Sequence, residues 1–173
     1  MKKTFIALVS LFAINFSFSQ TVMKPHTIGH IIYISLPDYM TRTIGINDDA
    51  SIQFKNEVKD VAGFVIEDNK DELKLAEMTY SSINEFYDEF IKEFVKGEEK
   101  LQQSKPVSKK VGDISFIEAD VSYFDKNAET EVYYLVGIVE TKIAYYKVLS
   151  YCSLENKVKF KADFQKILYS LKD

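Results

Sequence analysis

The chain has 173 residues, of which 46% are hydrophobic, 28% charged and 14% aromatic, with six Gly, three Pro and one Cys. That composition builds one ordinary globular domain and excludes collagen-like, low-complexity and disulfide-stapled classes. A formal net charge of −4 has the wrong sign for a nucleic-acid-binding domain, which neutralises phosphates with clustered Lys and Arg.

The chain opens with Lys2 and Lys3, an apolar run from Thr4 to Phe16, and Ser17 and Ser19 around Phe18. Charged, apolar and small residues in that order are the pattern of a secretory signal peptide. The run is shorter than the roughly 20 apolar residues of a membrane-spanning helix. Residues 1–19 are therefore expected to be a leader cleaved after Ser19, with cleavage after Gln20 as the alternative. Its removal takes two Lys and no acid, leaving 20 basic and 26 acidic side chains and a net charge of −6. The expected location is the periplasm or the cell exterior, with no transmembrane segment in the mature protein. No lipid anchor is expected either, because the only cysteine, Cys152, is far from the cleavage site. Cys152 itself reads as buried near a strand end, with no His nearby to lower its pKa.

Residues 20–173 contain no repeat, Pro-rich linker or block of like charge, and are expected to form a single domain. IGHIIYISL at Ile28 to Leu36 reads as a strand stopped by Pro37. Thr41 to Ile46 and Ala50 to Lys55 read as short strands around the turn Asn47-Asp48-Asp49, and Val61 to Glu67 as another strand before the polar loop Asp68 to Asp71. Ile83, Phe86, Tyr87, Phe90, Ile91, Phe94 and Val95 form one apolar stripe at the helical period. Ser82 and Glu85 have capping-box spacing at its start, and Gly97 follows its end. After the polar connection GEEKLQQSKP the chain is β-rich from Val107 to Tyr151. Ile114 to Phe124, Glu131 to Glu140 and Lys142 to Tyr151 are long runs joined by connections short enough to force antiparallel pairing. In the middle run Val132, Tyr134, Val136 and Ile138 face one way and Tyr133, Leu135 and Val139 the other. A strand apolar on both faces must be covered on both. Phe160, Phe164, Ile167, Leu168 and Leu171 give a closing amphipathic helix. The expected fold is α+β: an α/β/α sandwich around a mainly antiparallel β-sheet, with a mid-chain helix and a C-terminal helix.

ISLPDYM at Ile34 to Met40, AGFVIED at Ala62 to Asp68, the helix before the β-meander and FQKILYSL at Phe164 to Leu171 together resemble the Mog1/PsbP/DcrB-like superfamily. The resemblance spans nearly the whole of residues 20–173 and implies an α/β/α sandwich with an antiparallel central sheet. It implies a binding or structural role and no common reaction, since members act as accessory proteins: a photosystem assembly subunit, a nuclear GTPase-binding protein and bacterial envelope proteins. Unlike the envelope lipoproteins of that group, this chain has no lipidation cysteine, and no family binding residue maps onto a position here.

No Gly-x-Ser-x-Gly elbow and no closely spaced phosphate-cradling glycines occur. His26 and His30 lie i, i+4, but after Pro25 and before a strand they read as polar surface residues rather than metal ligands. Asp48 and Asp49, and then Glu67, Asp68, Asp71 and Glu72, lack the alternating spacing of a calcium loop. Glu118 and Asp120 share one strand face with Phe116 and Ser122 and are the pair on which acid–base chemistry would rest. Tyr123, Tyr133, Tyr134, Tyr145 and Tyr146 gather on the three long strands and are the candidate ligand or partner surface, tyrosine joining a large apolar body to a polar tip. The expected function is an exported, non-enzymatic accessory or binding protein of the bacterial cell envelope for a protein or small ligand, without cofactor or resident metal. One alternative is an exported enzyme with a carboxylate-based or metal-assisted site. A second is an immunity or secretion-system component.

Overall fold

A computed structural model describes residues 21–28 and 32–173. The expected leader and His30 lie outside the described residues. Ten strands and three helices follow in the order β1 (Met23–Ile28), β2 (Ile32–Pro37), β3 (Thr41–Thr43), β4 (Ile52–Asn56), β5 (Val61–Asn69), α1 (Lys70–Leu75), α2 (Ile83–Phe94), β6 (Glu99–Gln103), β7 (Val107–Val111), β8 (Ile114–Asp125), β9 (Thr130–Glu140), β10 (Ala144–Ser153) and α3 (Lys157–Ser170). Eight strands form one antiparallel sheet in the order β3-β4-β5-β10-β9-β8-β6, and β7 pairs with the other half of β8. β1 and β2 make a separate antiparallel hairpin.

The two-faced middle run becomes β9, near the centre of the sheet, and each face is covered. On one side Tyr133, Leu135 and Val139 pack with Phe160, Phe164, Ile167 and Leu168 of α3 and with Ile32, Ile34 and Leu36 of β2. On the other, Val136 and Ile138 pack with Ile83, Phe86, Tyr87 and Ile91 of α2. This is the α+β sandwich expected. Among the described residues no helix is long and apolar enough to cross a membrane.

Two glycines set how closely the layers approach. A Cβ on Gly137 of β9 would overlap Leu168 Cδ1 and lie 2.9 Å from its Cδ2. The bare backbone is what lets α3 sit down on the sheet. A Cβ on Gly63 of β5 would lie 2.5 Å from the Phe54 ring and 2.6 Å from the Leu149 carbonyl oxygen. Phe54, paired directly across from Gly63 and fully buried, fills that gap with its own ring.

α2 forms where its apolar stripe predicts. The Ser82 side chain accepts from the Glu85 N–H at 3.3 Å. The Glu85 carboxylate turns instead to the Ser81 N–H and hydroxyl, both at 2.7 Å, so the capping box is displaced by one residue on that side. Gly97 takes φ +81° just past the helix end, where a side chain would be strained.

Three assignments need correction. The run from Ile28 to Leu36 is not one strand: Ile28 ends β1 and Ile32 begins β2, its antiparallel partner. Residues 99–103, read as a connection, form the wholly exposed strand β6, which Gln103 ties to α2 by donating to the Tyr87 hydroxyl at 3.1 Å. The polar loop at residues 68–71 is split, since Asn69 ends β5 and caps the short helix α1 by accepting from the Asp71 and Glu72 N–H groups.

Candidate functional site

The row of side chains on the α2 side of the sheet continues beyond the end of that helix. Cross-strand register sets Tyr134 of β9 opposite Tyr151 of β10, Tyr151 opposite Ala62 of β5, and Ala62 opposite Lys55 of β4. Tyr123 of β8 adds a third ring. The Tyr123 and Tyr134 centroids are 5.7 Å apart with rings 11° from parallel, and Tyr134 and Tyr151 are 4.9 Å apart at 30°. Phe94, the last residue of α2, meets Tyr134 edge-on at 5.3 Å. The aromatic ladder stops at Tyr151, because the next position carries only the methyl of Ala62.

A recess of about 290 Å³ opens there, floored by Ala62, Val132, Tyr134 and Tyr151. Its rim carries Lys55, Glu57, Asp60 and Asp125, and the Lys55 ammonium is already paired with Glu57 at 2.6 Å. Asp60 holds φ +51°. Burial and the nearby Asp60 carboxylate push the Tyr151 phenol above its usual value, and burial followed by Tyr123 does the same for Tyr134. Both rings therefore remain neutral in the physiological range.

The five candidate tyrosines do not share one surface. Tyr133 and Tyr146 are fully buried on the α3 side, and Tyr145, 4% exposed, stacks on Phe86 under α2 at 4.4 Å. Tyr123 and Tyr134 are half-buried and belong to the ladder. Tyr151 and Ala62, outside the five, complete the recess.

Glu118 and Asp120 point to the opposite layer and are engaged by α3. Asp120 accepts from Lys161 at 2.7 Å, Lys157 at 3.1 Å and the Tyr133 hydroxyl at 2.8 Å. Glu118 accepts from Gln165 at 2.7 Å, and Tyr169 packs on Phe116 at 5.2 Å. Lys157, Lys161, Gln165 and Tyr169, spaced four apart, are one row of the helix. Among the described residues the Glu118 Oε2 atom is buried without a hydrogen-bond partner, and burial with that carboxylate nearby pushes Tyr169 up to about 12. Burial pushes Asp120 up, but the bonds from Lys161, Tyr133 and Lys157 outweigh it and hold the carboxyl below its usual value. That is the reverse of what a general acid needs. Asp120 anchors α3 to β8.

The sign of its pH dependence follows. A depressed native pKa contributes stability above the unfolded value, about 3.8, and loses it as pH falls through the native value. Asp120→Ala is expected to cost about 2 kcal/mol at neutral pH by stranding the buried Tyr133 hydroxyl. It should also flatten the acid limb of stability measured by urea unfolding at pH 7 and pH 3; an unchanged acid slope would contradict the assignment.

His26 is flanked by cations: burial, then Arg42 and Lys24, lower its pKa. Among the described residues no cluster of His, Cys, Asp and Glu is placed to hold a metal ion. Cys152 is 2% exposed, and burial with Asp60 nearby raises its thiol to about 12. A disulfide-exchange reagent such as DTNB is expected to leave the native thiol unmodified and to titrate one thiol after unfolding. Rapid native labelling would show that Cys152 is open to solvent.

No family model matches the sequence, and no curated protein does. Solved structures do match its fold. Cyanobacterial PsbP (CyanoP) from Synechocystis sp. PCC 6803 aligns with a TM-score of 0.58 at 10% identity, covering 90% of this chain and 94% of that one. The Ran-binding protein Mog1p of Saccharomyces cerevisiae aligns at 0.59 and 9%, covering 87% and 95%. LpqN of Mycobacterium tuberculosis, involved in cell envelope biogenesis, aligns at 0.56 and 11%, covering 89% and 92%. The chain has the Mog1/PsbP/DcrB-like fold.

Proposed function

We propose that this chain is an exported accessory protein of the cell envelope that binds a small ligand in the recess at the open end of the tyrosine ladder. The observation that carries the reading is the ladder itself: three adjoining tyrosine rings, one pair near-parallel and the other tilted by 30°, end at an alanine, over a recess with a charged rim. Small-molecule sites are concave, mostly apolar recesses with a few placed polar groups, and this recess joins Ala62, Val132, Tyr134 and Tyr151 to a charged rim. Export is supported by the pattern of residues 1–19 and by the fold shared with LpqN, which is involved in cell envelope biogenesis. A binding role is supported by the fold shared with Mog1p, a Ran-binding protein. Fold likeness alone leaves the ligand open.

Native mass spectrometry of the protein from its own envelope fraction tests this. The expected result is a chain beginning at Gln20 or Thr21 that carries a small-molecule adduct, and loss of that adduct in Ala62→Phe. An unprocessed chain in the cytosol would refute export. An adduct that survives the substitution would remove the recess.

A further inference from the structure

We infer that the recess takes a planar aromatic ring carrying a positively charged alkylammonium arm, an organic cation of the arylalkylamine class; this rests on reading the recess as the binding site. Shape gives the ring. Tyr134 and Tyr151 stand opposite each other across β9 and β10, Tyr123 of β8 adds a ring diagonally beside Tyr134, and the residue opposite Tyr151 on β5 is Ala62. The outer face of the ladder therefore ends beside a methyl group, where a flat guest continues the stack at the same spacing of 5 to 6 Å that the rings already keep. A volume of about 290 Å³ holds one or two fused rings and is small for anything larger.

Charge gives the sign. Of the four charged rim residues, Lys55 is taken up by Glu57, leaving the Asp60 and Asp125 carboxylates on the recess without a cationic partner among the recess-lining residues. Neutral tyrosine faces attract cations through their quadrupole, and two carboxylates reinforce that attraction. An anionic ring meets the same carboxylates as repulsion. Asp60 is also a residue that a glycine would replace with less backbone strain, since it stands at φ +51°. Its carboxylate can therefore be removed without disturbing the turn.

The chain contains no Trp, so indole fluorescence in a mixture belongs to the ligand alone. Fluorescence anisotropy titrations of the purified protein with tryptamine, indole and indole-3-acetate compare a cationic, a neutral and an anionic form of one ring. Tryptamine is expected to bind about tenfold or more tighter than indole-3-acetate, with indole between them. Ala62→Phe, which supplies the missing fourth ring from the protein itself, should abolish saturable binding. Asp60→Gly should keep the fold and shrink the preference of tryptamine over indole. Equal or tighter binding of indole-3-acetate would overturn the charge assignment, and no saturable binding of any of the three would overturn the inference. In either case, loss of the native adduct in Ala62→Phe would still sustain the recess as the site, so the two readings fail separately. Should Ala62→Phe fail to fold, Asp60→Gly decides alone: an unchanged ratio of tryptamine to indole affinity refutes the role of the Asp60 carboxylate.

Discussion

Gly63→Ala is expected to lower stability by about 3 kcal/mol or more, measured as a drop in the urea midpoint at unchanged slope. The added methyl would meet two obstacles of different kinds. One is the Phe54 ring at 2.5 Å, fully buried and closed in by its own neighbours. The other is the Leu149 carbonyl oxygen at 2.6 Å. That oxygen belongs to the backbone of β10, which pairs with both β5 and β9, and it cannot retreat without pulling at two ladders. Removing the ring should therefore not repair the defect. The double variant Gly63→Ala/Phe54→Ala is expected to be worse than either single one, since the carbonyl stays and a large core side chain is lost. Recovery in that double variant would show that the ring alone sets the limit.

Gly137→Ala is expected to cost about 2 kcal/mol by overpacking, and here the cure exists. The three nearest obstructing atoms belong to a single side chain, Leu168, with no backbone atom among them. Leu168→Ala alone is expected to cost about 2–5 kcal/mol, as buried leucine truncations do. In that background the Gly137→Ala methyl has room, so the double variant should be more stable than the sum of the two losses predicts, with a coupling of about 1 kcal/mol or more. Strict additivity would mean that α3 does not rest on β9 at this point. The two glycines thus do different jobs: Gly63 spaces the sheet from within, and Gly137 spaces the sheet from the helix above it.

What the amino-acid sequence discloses about this fold depends on whether an element has a face to bury. The stripe from Ile83 to Val95 announces α2, and the two-sided apolar pattern of β9 announces a three-layer sandwich. β6 carries EKLQQ with every residue exposed, so no alternation marks it, and only pairing with β8 makes it a strand. α1 buries no residue and shows nothing beyond its Asn69 cap. β1 contains Pro25, a residue that argues against a central strand but is tolerated in an edge hairpin. The proposed recess is legible only in part. Tyr133 and Tyr134 are adjacent, as are Tyr145 and Tyr146, and a period of two sends the members of each pair to opposite layers. Which tyrosine reaches an opening is decided by where α2 ends and by which residue stands across the next strand. Ala62 matters because it faces Tyr151, a relation between positions 89 residues apart that no local pattern contains.

The hairpin near the start of the domain is finished by residues near position 170. Tyr33 exchanges two backbone hydrogen bonds with Lys172, at 2.8 and 3.0 Å, and the Ser35 N–H donates to the Ser170 hydroxyl at 2.8 Å. Asp173 accepts from Thr141 and Tyr146, fastening the same stretch to the sheet. A ribosome delivers β2 long before it delivers α3. Until residues 157–172 have emerged, Ile32, Ile34 and Leu36 have no helix to pack against, and one face of β9 lies bare. By the order of its layers, the side of the sheet that α3 covers can close only when the last residues of the domain have been made.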